Sequence, residues 1–271
     1  CGRGRSRDLG RPDRRRSTGM TARRRLDAEM VRRGLVESRS QATELIGAGR
    51  VLVGGAVAAK PARMVAPDEP VVVQAEAPPF VSRGGLKLEA ALDHWAVPLE
   101  GKRVIDVGSS TGGFTDCALQ YGADHVVAID VGRAQLHERM RSDARVSVHE
   151  QTNVRGLDPD RVGGRGDVVV SDLSFISLRS VAADLVNLCR RGGELIVLIK
   201  PQFEVGREEA SRGKGVIRDP VLWRAAIHGV MDAFFSAGAV MMGVMPSPIT
   251  GARGNVEFLA RFRAPTGVPV T

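Results

Sequence analysis

A carboxylate followed by small residues stands after an apolar run in the middle of the chain. Residues 104–114 read V-I-D-V-G-S-S-T-G-G-F, which places Asp106 two residues before Gly108 and closes the loop with Gly112 and Gly113. Small residues let a ligand lie against bare backbone, and free N–H groups at the start of the next helix can bind it. Dinucleotide folds use G-x-G-x-x-G here, and a carboxylate would repel a phosphate. The spacing therefore favours a ligand with positive charge and without phosphate.

A second acid supports a nucleoside ligand. Residues 125–130 read as a strand that ends in Asp130, 22 residues after Gly108, and an acid at about that spacing commonly binds ribose hydroxyls. Either feature alone fits a tight strand-to-helix turn as well as a binding loop. Together they favour S-adenosylmethionine, which carries an ammonium, a sulfonium and no phosphate. The predicted cofactor-binding residues are Asp106, Gly108, Ser109, Ser110, Gly112, Gly113, Phe114, Asp130, Val131, Asn153 and Asp172.

Two later strand ends carry further polar residues. Residues 171–175 read S-D-L-S-F, so that Asp172 follows one strand, and Lys200 follows five apolar residues of the next. In open α/β sheets, ligands bind at the carboxyl ends of the strands. A lysine at such an end either neutralises a nearby acid or is kept for chemistry. The chain has 5 Lys and 34 Arg. Because an amine can lose its proton where a guanidinium cannot, Lys200 is a candidate for acid–base chemistry.

These residues require a sheet that brings the strand ends together. Strands and helices alternate beyond residue 82, which predicts a Rossmann-like α/β domain with a mostly parallel sheet and helices on both faces. The predicted strands are 103–107, 125–130, 145–149, 167–172 and 194–199. The predicted helices include 84–95, 114–121 and 221–237, and the segments 240–245 and 255–261 are predicted to pair as a hairpin.

A small basic unit precedes this domain. Apolar spacing and a glycine stop predict a helix from residue 25 to Gly34, and Ser38 is a suitable N-cap for a second helix ending at residue 46. Short strands are predicted at 50–53, around 57 and at 71–74. Residues 1–63 contain 16 Lys and Arg against 6 Asp and Glu, whereas the rest of the chain contains 23 against 25. A positive excess confined to one unit indicates binding to a polyanion, most often nucleic acid.

The chain divides into four segments. Residues 1–19 are rich in Arg, Gly and Pro without apolar periodicity, so we expect a disordered extension that is not native, with Met20 as the true start. The basic unit, an α+β module, covers 20–74 and keeps its charge without the extension. Prolines mark a linker at 75–81, and the α/β domain covers 82–271.

Composition argues against several classes of protein. No apolar run approaches the roughly 18 residues of a membrane span, and nothing resembles a signal peptide. Cys1, Cys117 and Cys189 are scattered without C-x-x-C spacing, which argues against a disulfide framework and a zinc site. We therefore expect a cytoplasmic protein that needs no metal. The sequence leaves its oligomeric state open, with a monomer favoured.

The basic unit resembles the ribosomal-S-four-type RNA-binding module. The resemblance covers about residues 24–74 and rests on the order R-L-D-x-x-x-V-R-R-G-L-x-x-S-R-x-x-A-x-x-L-I-x-x-G-x-V. In that family a pair of helices presents basic residues to RNA phosphates. Without aromatic residues for stacking, the unit is expected to prefer structured RNA. The resemblance implies RNA contacts by Arg24, Arg25, Arg32, Arg33, Arg39 and Arg50.

The chain as a whole resembles the TlyA family. The resemblance spans residues 22–262, and its motifs are Ser82–Lys87, Asp106–Phe114, Asp172–Phe175, Lys200–Glu204 and Gly254–Glu257. That family joins the RNA-binding module to a methyltransferase of the RrmJ/FtsJ type that uses S-adenosylmethionine. The resemblance implies 2′-O-methylation of ribose, that of cytidine, in small- and large-subunit ribosomal RNA. It also implies a catalytic tetrad of Lys87, Asp172, Lys200 and Glu257, and leaves open whether Lys200 acts as a base or as an orienting group.

Three other functions fit parts of the sequence. A base N-methyltransferase carries Asn/Asp-Pro-Pro-aromatic at the fourth strand end, but Asp172–Phe175 lacks both prolines. A membrane-active cytolysin is an alternative because similar proteins are often called haemolysins, although the sequence has no segment suited to insertion. A non-catalytic RNA-binding factor for ribosome assembly is the third alternative, and the intact tetrad and glycine loop argue against it.

Overall fold

The computed structural model describes residues 23–75, 77–206, 215–251 and 253–267. The predicted extension at residues 1–19 lies outside the described residues. Within the described ranges, no helix is both long enough and apolar enough to cross a membrane.

The N-terminal unit consists of short elements: β1 (Arg24–Arg25), α1 (Leu26–Arg32), α2 (Arg39–Gly47), β2 (Val51–Val53), β3 (Ala56–Val57), β4 (Met64–Val65) and β5 (Val71–Val73). β1 pairs with β4, and β2 lies between β3 and β5. α2 begins after Ser38, whose side chain accepts a hydrogen bond from the Gln41 N–H, which confirms the predicted N-cap. Leu26, Met30 and Ile46 are buried between the helices and the strands.

The larger unit contains α3 (Gly84–Trp95), β6 (Arg103–Val107), α4 (Gly113–Gln120), β7 (His125–Ile129), α5 (Glu138–Arg141), β8 (Val146–His149), β9 (Gly166–Ser171), α6 (Ala182–Leu188), β10 (Cys189–Ile199), α7 (Pro201–Glu204), α8 (Pro220–Ser236), β11 (Val240–Pro246) and β12 (Phe258–Arg263). Its strands form one sheet in the order β11-β12-β10-β9-β6-β7-β8. β6 to β10 run parallel to one another, while β12 pairs antiparallel with both β10 and β11. The predicted α/β class and the C-terminal hairpin are confirmed.

Helices cover both faces of this sheet because the residues of each strand alternate between two cores. In β6, Ile105 and Val107 pack in one core with residues of α6 and α8, whereas Val104 packs in the other with α3 and α4. Strands that are apolar on both faces are typical of parallel sheets. The polar residues of the central strands are therefore concentrated at the strand ends.

Two strands start three or more residues away from the predicted position. β10 begins at Cys189, five residues earlier than predicted, because the pairing with β9 shifts register between Cys189 and Glu194. β12 begins at Phe258, since the Gly251 N–H donates to the Asn255 carbonyl and closes a turn before the strand. This turn places Glu257 immediately before β12.

The two units touch beside the start of α3. An isolated antiparallel bridge joins Ala56 to Ser82, and the Val57 N–H donates to the Val81 carbonyl at 2.8 Å. The Val81 N–H in turn donates to the carboxylate of Asp116 in α4 at 2.8 Å. The backbone at 81–82 thus connects the basic unit to α3 and α4. The segment boundaries at 74 and 82 stay predictions.

Candidate active site

The candidate site lies where the strand order reverses. β6 stands between β7 and β9, so the loops after β6 and β9 diverge at the carboxyl ends of these strands. Gly108 has φ 85°, and a Cβ there would lie 2.8 Å from the backbone oxygen of Asp172. No larger residue fits at that distance, so glycine at this position lets the two strand ends approach each other.

A second close approach brings α3 beside α4. A Cβ on Gly113 would lie 2.3 Å from Ser82 Oγ and 2.9 Å from the backbone nitrogen of Gly85. Only glycine permits this contact. It places Lys87, in the first turn of α3, next to the loop after β6.

Two lysines and two carboxylates meet at this point. Lys87 Nζ donates to Glu257 Oε2 at 2.6 Å and lies 4.0 Å from Asp172 Oδ2. Lys200 Nζ lies 2.5 Å from Asp172 Oδ1. Lys87, Lys200 and Glu257 are 8%, 9% and 3% exposed, so little water screens these charges. The structure thus brings all four predicted catalytic residues into one chain of ion pairs.

Ser174 extends this cluster and was not among the predicted site residues. Lys200 Nζ donates to Ser174 Oγ at 2.8 Å. The hydrogen bond to Ser174 and the ion pair with Asp172 hold the Lys200 nitrogen, which keeps hydrogen-bonding capacity for a ligand. The position of Ser174, two residues after Asp172 at a strand end, was a signal that could have indicated it.

Two cavities adjoin at the tetrad. The smaller, about 250 Å³, has all four tetrad residues in its wall, and the larger, about 530 Å³, extends along the end of β7. Both are lined by Gly108, Ser110, Asp172 and Ser174. Among the described residues, no group of three or more His, Cys, Asp or Glu side chains is arranged to hold a metal. The site therefore offers space for two organic groups side by side.

Nine of the predicted cofactor-binding residues line these cavities: Gly108, Ser109, Ser110, Gly113, Phe114, Asp130, Val131, Asn153 and Asp172. Asp106 and Gly112 line neither of them. Phe175, which was not predicted to bind the cofactor, lines the larger cavity and is 92% exposed. Its φ of 66° turns the chain at the mouth of this cavity.

Asp130 supports the glycine loop from the end of β7. Its Oδ2 accepts a hydrogen bond from the Ser110 N–H at 2.8 Å, and its Oδ1 accepts one from the Gly132 N–H at 2.6 Å. Ser110 has φ 45°, a conformation that a side chain disfavours. Each carboxylate oxygen has a second lone pair, so Asp130 can also accept hydrogen bonds from a ligand in the larger cavity.

Asp106 lies beneath the loop instead of in a cavity. It is fully buried, and its Oδ2 accepts a hydrogen bond from Thr115 Oγ1 at 2.6 Å. In the described part of the chain its Oδ1 has no hydrogen-bond partner. Burial raises the pKa of Asp106 to about 7; the charges of Asp172 and Asp130 add to the rise, and the hydrogen bond from Thr115 opposes it. The carboxyl is thus poised between its neutral and charged forms near neutral pH.

Two buried acids hold four of the predicted RNA-binding arginines. Asp27 accepts hydrogen bonds of 2.9 and 2.7 Å from two of them, and Glu29 accepts bonds of 2.6 and 2.7 Å from the other two. The pairs are Asp27 with Arg25 and Arg39, and Glu29 with Arg32 and Arg33. These hydrogen bonds hold the pKa of both carboxyls well below the usual range. The acids thereby orient the guanidinium groups around α1.

The predicted RNA-binding arginines differ in whether they also bind the protein's own backbone. Arg33 also donates to the carbonyls of Ala66 and Glu69, at 3.0 and 2.7 Å, and its side chain is 18% exposed. Arg50 Nε donates to the Gln74 carbonyl at 2.9 Å. Arg24, by contrast, is exposed.

Known proteins share this combination of units. The FtsJ-like methyltransferase family matches residues 80–264, and the S4 domain matches residues 24–71. The chain is 47% identical over 248 residues to the 16S/23S rRNA (cytidine-2′-O)-methyltransferase TlyA of Mycobacterium tuberculosis, covering 91% of this chain and 92% of that protein. It is 39% identical to Hemolysin A of Brachyspira hyodysenteriae, over 88% of this chain and 99% of the relative.

A solved structure has the same architecture. A protein from Streptococcus thermophilus described as a hemolysin superposes with a TM-score of 0.71 at 37% identity, and the match covers 90% of each chain. The two family models and the similar proteins thus agree with the fold class, a methyltransferase unit preceded by a small RNA-binding unit. The chain belongs to the TlyA family of FtsJ-like methyltransferases with an N-terminal S4 domain.

Proposed function

We propose that the chain uses S-adenosylmethionine to methylate the ribose 2′-OH of cytidine in small- and large-subunit ribosomal RNA. The convergence of Lys87, Asp172, Lys200 and Glu257 between two cavities carries this proposal. A ribose hydroxyl is a poor nucleophile, so it must be oriented for in-line attack and relieved of its proton. The cluster offers amines and carboxylates for both tasks. The similar protein from Mycobacterium tuberculosis bears this activity in its name.

The larger cavity suits S-adenosylmethionine. Asp130 provides acceptors for ribose hydroxyls, and the backbone at Gly108 and Ser110 is open to close approach. The buried carboxyl of Asp106, with an oxygen that has no hydrogen-bond partner among the described residues, favours a positively charged ligand nearby. When bound, this cofactor supplies a methyl group on a positively charged sulfur, which makes the methyl carbon open to attack.

Lys200 is proposed to bind the attacking oxygen. Its nitrogen donates a hydrogen bond to Ser174 and forms an ion pair with Asp172, and a remaining position on the nitrogen is assigned to the ribose oxygen. A protonated amine orients that oxygen with an N–H, and a neutral amine accepts the hydroxyl proton with its lone pair. The bound cofactor would supply the methyl group and take up the electrons of its carbon–sulfur bond as the oxygen–carbon bond forms. The neutral form of the Lys200 amine would accept the hydroxyl proton late in methyl transfer.

Lys87 and Glu257 are assigned a positioning role. Lys87 lies between the Glu257 and Asp172 carboxylates, at 2.6 and 4.0 Å. Its charge offsets the repulsion between the two acids, so that Asp172 can stay close to Lys200. The pair thereby holds the carboxylate that orients the reacting amine.

The basic unit is proposed to hold ribosomal RNA or a ribosomal subunit. Its arginines are arranged around α1, on the unit that touches the start of the tetrad-bearing helix α3. All four tetrad residues come from one chain, which agrees with action as a monomer. A ribosomal substrate supports a cytoplasmic location.

Transfer of labelled methyl groups tests this function. Ribosomal subunits incubated with the chain and methyl-labelled S-adenosylmethionine are expected to carry the label in their RNA, whereas a non-catalytic assembly factor would bind without transfer. A cytolysin would release dye from liposomes in the absence of cofactor. Leakage without methyl transfer would overturn the proposal.

Binding of S-adenosylmethionine is expected to weaken as the pH falls below about 7. Burial raises the pKa of Asp106 to about 7, so the carboxyl becomes neutral below that pH. A cationic ligand favours the charged form, so binding releases a proton, and affinity falls by up to about tenfold per pH unit. Isothermal titration between about pH 5.5 and 7 measures the slope. Asp106→Asn should bind without this dependence; an unchanged slope in that variant would assign it to another group.

Two arginine substitutions should separate RNA contact from folding. Arg24→Gln is expected to weaken RNA binding and to reduce its salt dependence by about one phosphate contact. Arg33→Gln is expected to lower Tm, because carbonyl groups that its guanidinium now satisfies lose their donors. Affinity at several salt concentrations and thermal unfolding of both variants check this. A stable Arg33→Gln variant together with an unfolded Arg24→Gln variant would contradict it.

A further inference from the structure

The short helix that follows Lys200 carries a carboxylate to which the reaction scheme assigns no task. Glu204 Oε2 accepts a hydrogen bond from Ser177 Oγ at 2.5 Å, and its Oε1 accepts one from the Leu178 N–H at 2.8 Å. Both donors lie just beyond Ser174 in the loop after β9. These hydrogen bonds therefore link the short helix after β10 to the loop after β9.

Other contacts join the same two segments. Lys200 Nζ donates to Ser174 Oγ at 2.8 Å, and the ring centroids of Phe203 and Phe175 lie 5.4 Å apart. The loop is thus held by Lys200 near its start and by Glu204 at its end. Each contact joins a residue of segment 200–204 to segment 174–178, so the two segments are linked at three points.

One residue of the held loop is strained and exposed, whereas Ile176 and Leu178 after it pack with the core of the sheet. Phe175 has φ 66° and is 92% exposed, so its backbone is strained while its ring adds little burial. Glu204 is partly buried, and burial raises the pKa of its carboxyl, whereas the hydrogen bonds from Ser177 and Leu178 lower it. A partly desolvated carboxylate binds its donors more strongly than an exposed one does. Glu204 is thus suited to hold a strained loop.

We propose that Glu204 is a positioning residue for methyl transfer, an inference that rests on the proposed function. Its carboxylate keeps the loop in place so that Ser174 stays within hydrogen-bonding distance of Lys200. The Lys200 amine then keeps its hydrogen bond to Ser174 and its ion pair with Asp172 while it binds the ribose oxygen. Loss of the Glu204 carboxylate frees the loop and leaves Asp172 as the sole fixed partner of the amine. We expect this change to lower kcat, because a small misplacement of reacting groups lowers the rate by up to about 100-fold.

The test is a double-mutant cycle between Glu204 and Ser174. Glu204→Ala and Ser174→Ala are each expected to lower kcat on ribosomal RNA by about 10- to 100-fold, with the KM for RNA within about threefold. The double variant should be no slower than the slower single variant, because both substitutions break the same link. Glu204→Gln retains an acceptor for the Leu178 N–H and should keep part of the rate. Hydrogen exchange of the peptide that contains Leu178 should be faster in Glu204→Ala.

Glu194→Gln is the matched control for a purely structural effect. Glu194 lies in β10, the strand that precedes Lys200, and its carboxylate pairs with Arg261 and Arg263. This variant should lose stability with kcat within about twofold of wild type. Fold-losses that multiply in the double variant, an unchanged kcat in Glu204→Ala, or unchanged hydrogen exchange at Leu178 would each overturn the positioning role. A wild-type chain that transfers no methyl group contradicts the proposed function instead, and the exchange measurement still decides whether Glu204 holds the loop.

Discussion

Lys200→Ala is expected to lower the rate of methyl transfer by about 1000-fold, while the dissociation constant of S-adenosylmethionine stays within about threefold. Lys200 contacts Asp172 and Ser174 at the point where the two cavities adjoin, so its loss removes the group assigned to the ribose oxygen. Single-turnover transfer to ribosomal RNA and isothermal titration of the cofactor measure the two effects separately.

Two further variants sharpen this result. Lys102 lies before β6, at the opposite end of the sheet from the site. The Lys102→Ala variant should therefore transfer methyl groups at the wild-type rate. Lys200→Arg keeps the charge but cannot lose a proton, so a nearly active Arg variant would mean that Lys200 orients the oxygen without acting as a base. A Lys200→Ala variant within tenfold of wild type would contradict the assigned role.

Glu257→Ala is expected to destabilise the fold by about 3 kcal/mol as well as to abolish activity. The substitution removes the 2.6 Å partner of Lys87, a residue that is 8% exposed and whose amine would keep only the more distant Asp172. An uncompensated buried charge is costly, so the effect is larger than the loss of one hydrogen bond. Urea unfolding of the variant gives the free energy of unfolding.

The compensating variant tests the cause. Lys87→Met in the Glu257→Ala background removes the buried charge and should recover most of the lost stability without recovering methyl transfer. If the double variant is as unstable as Glu257→Ala alone, packing at Glu257 explains the loss and the ion pair does not.

Most of the sheet could be predicted because its strands are apolar runs that end in polar residues. Asp130, Asp172 and Lys200 each follow such a run, and parallel strands bring their carboxyl ends to one edge. Lys87 and Glu257 could not be paired by spacing, since 170 residues separate them in the sequence. The pair was predicted only from the resemblance to the TlyA family, and in the structure the two side chains are in contact.

Other features depend on contacts that no local pattern encodes. Arg33 looks like the other basic residues of α1 in sequence, yet its guanidinium turns toward the carbonyls of Ala66 and Glu69. Asp106 stands in the glycine-loop motif, but the helix packed above it buries the carboxyl completely. Glu204 owes its contacts to the loop after β9, 26 residues earlier. Long-range packing sets all three environments.

Phe175 and the two lysines of the site bear differently on base methylation and ribose methylation. Phe175 is exposed at the mouth of the larger cavity, as an aromatic residue that stacks on a base would be. Its presence suits either reaction, because both require a nucleotide to enter the site. The lysines distinguish them, since a base nitrogen needs no pair of buried amines beside the methyl group.

The most direct test of the central claim is the position of the transferred methyl group. Ribosomal RNA that the wild-type chain has labelled is hydrolysed in alkali, which cleaves only where a free 2′-OH adjoins the phosphate. The account predicts that the label remains in alkali-resistant dinucleotides that contain 2′-O-methylcytidine. Label released in mononucleotides methylated on the base would contradict it.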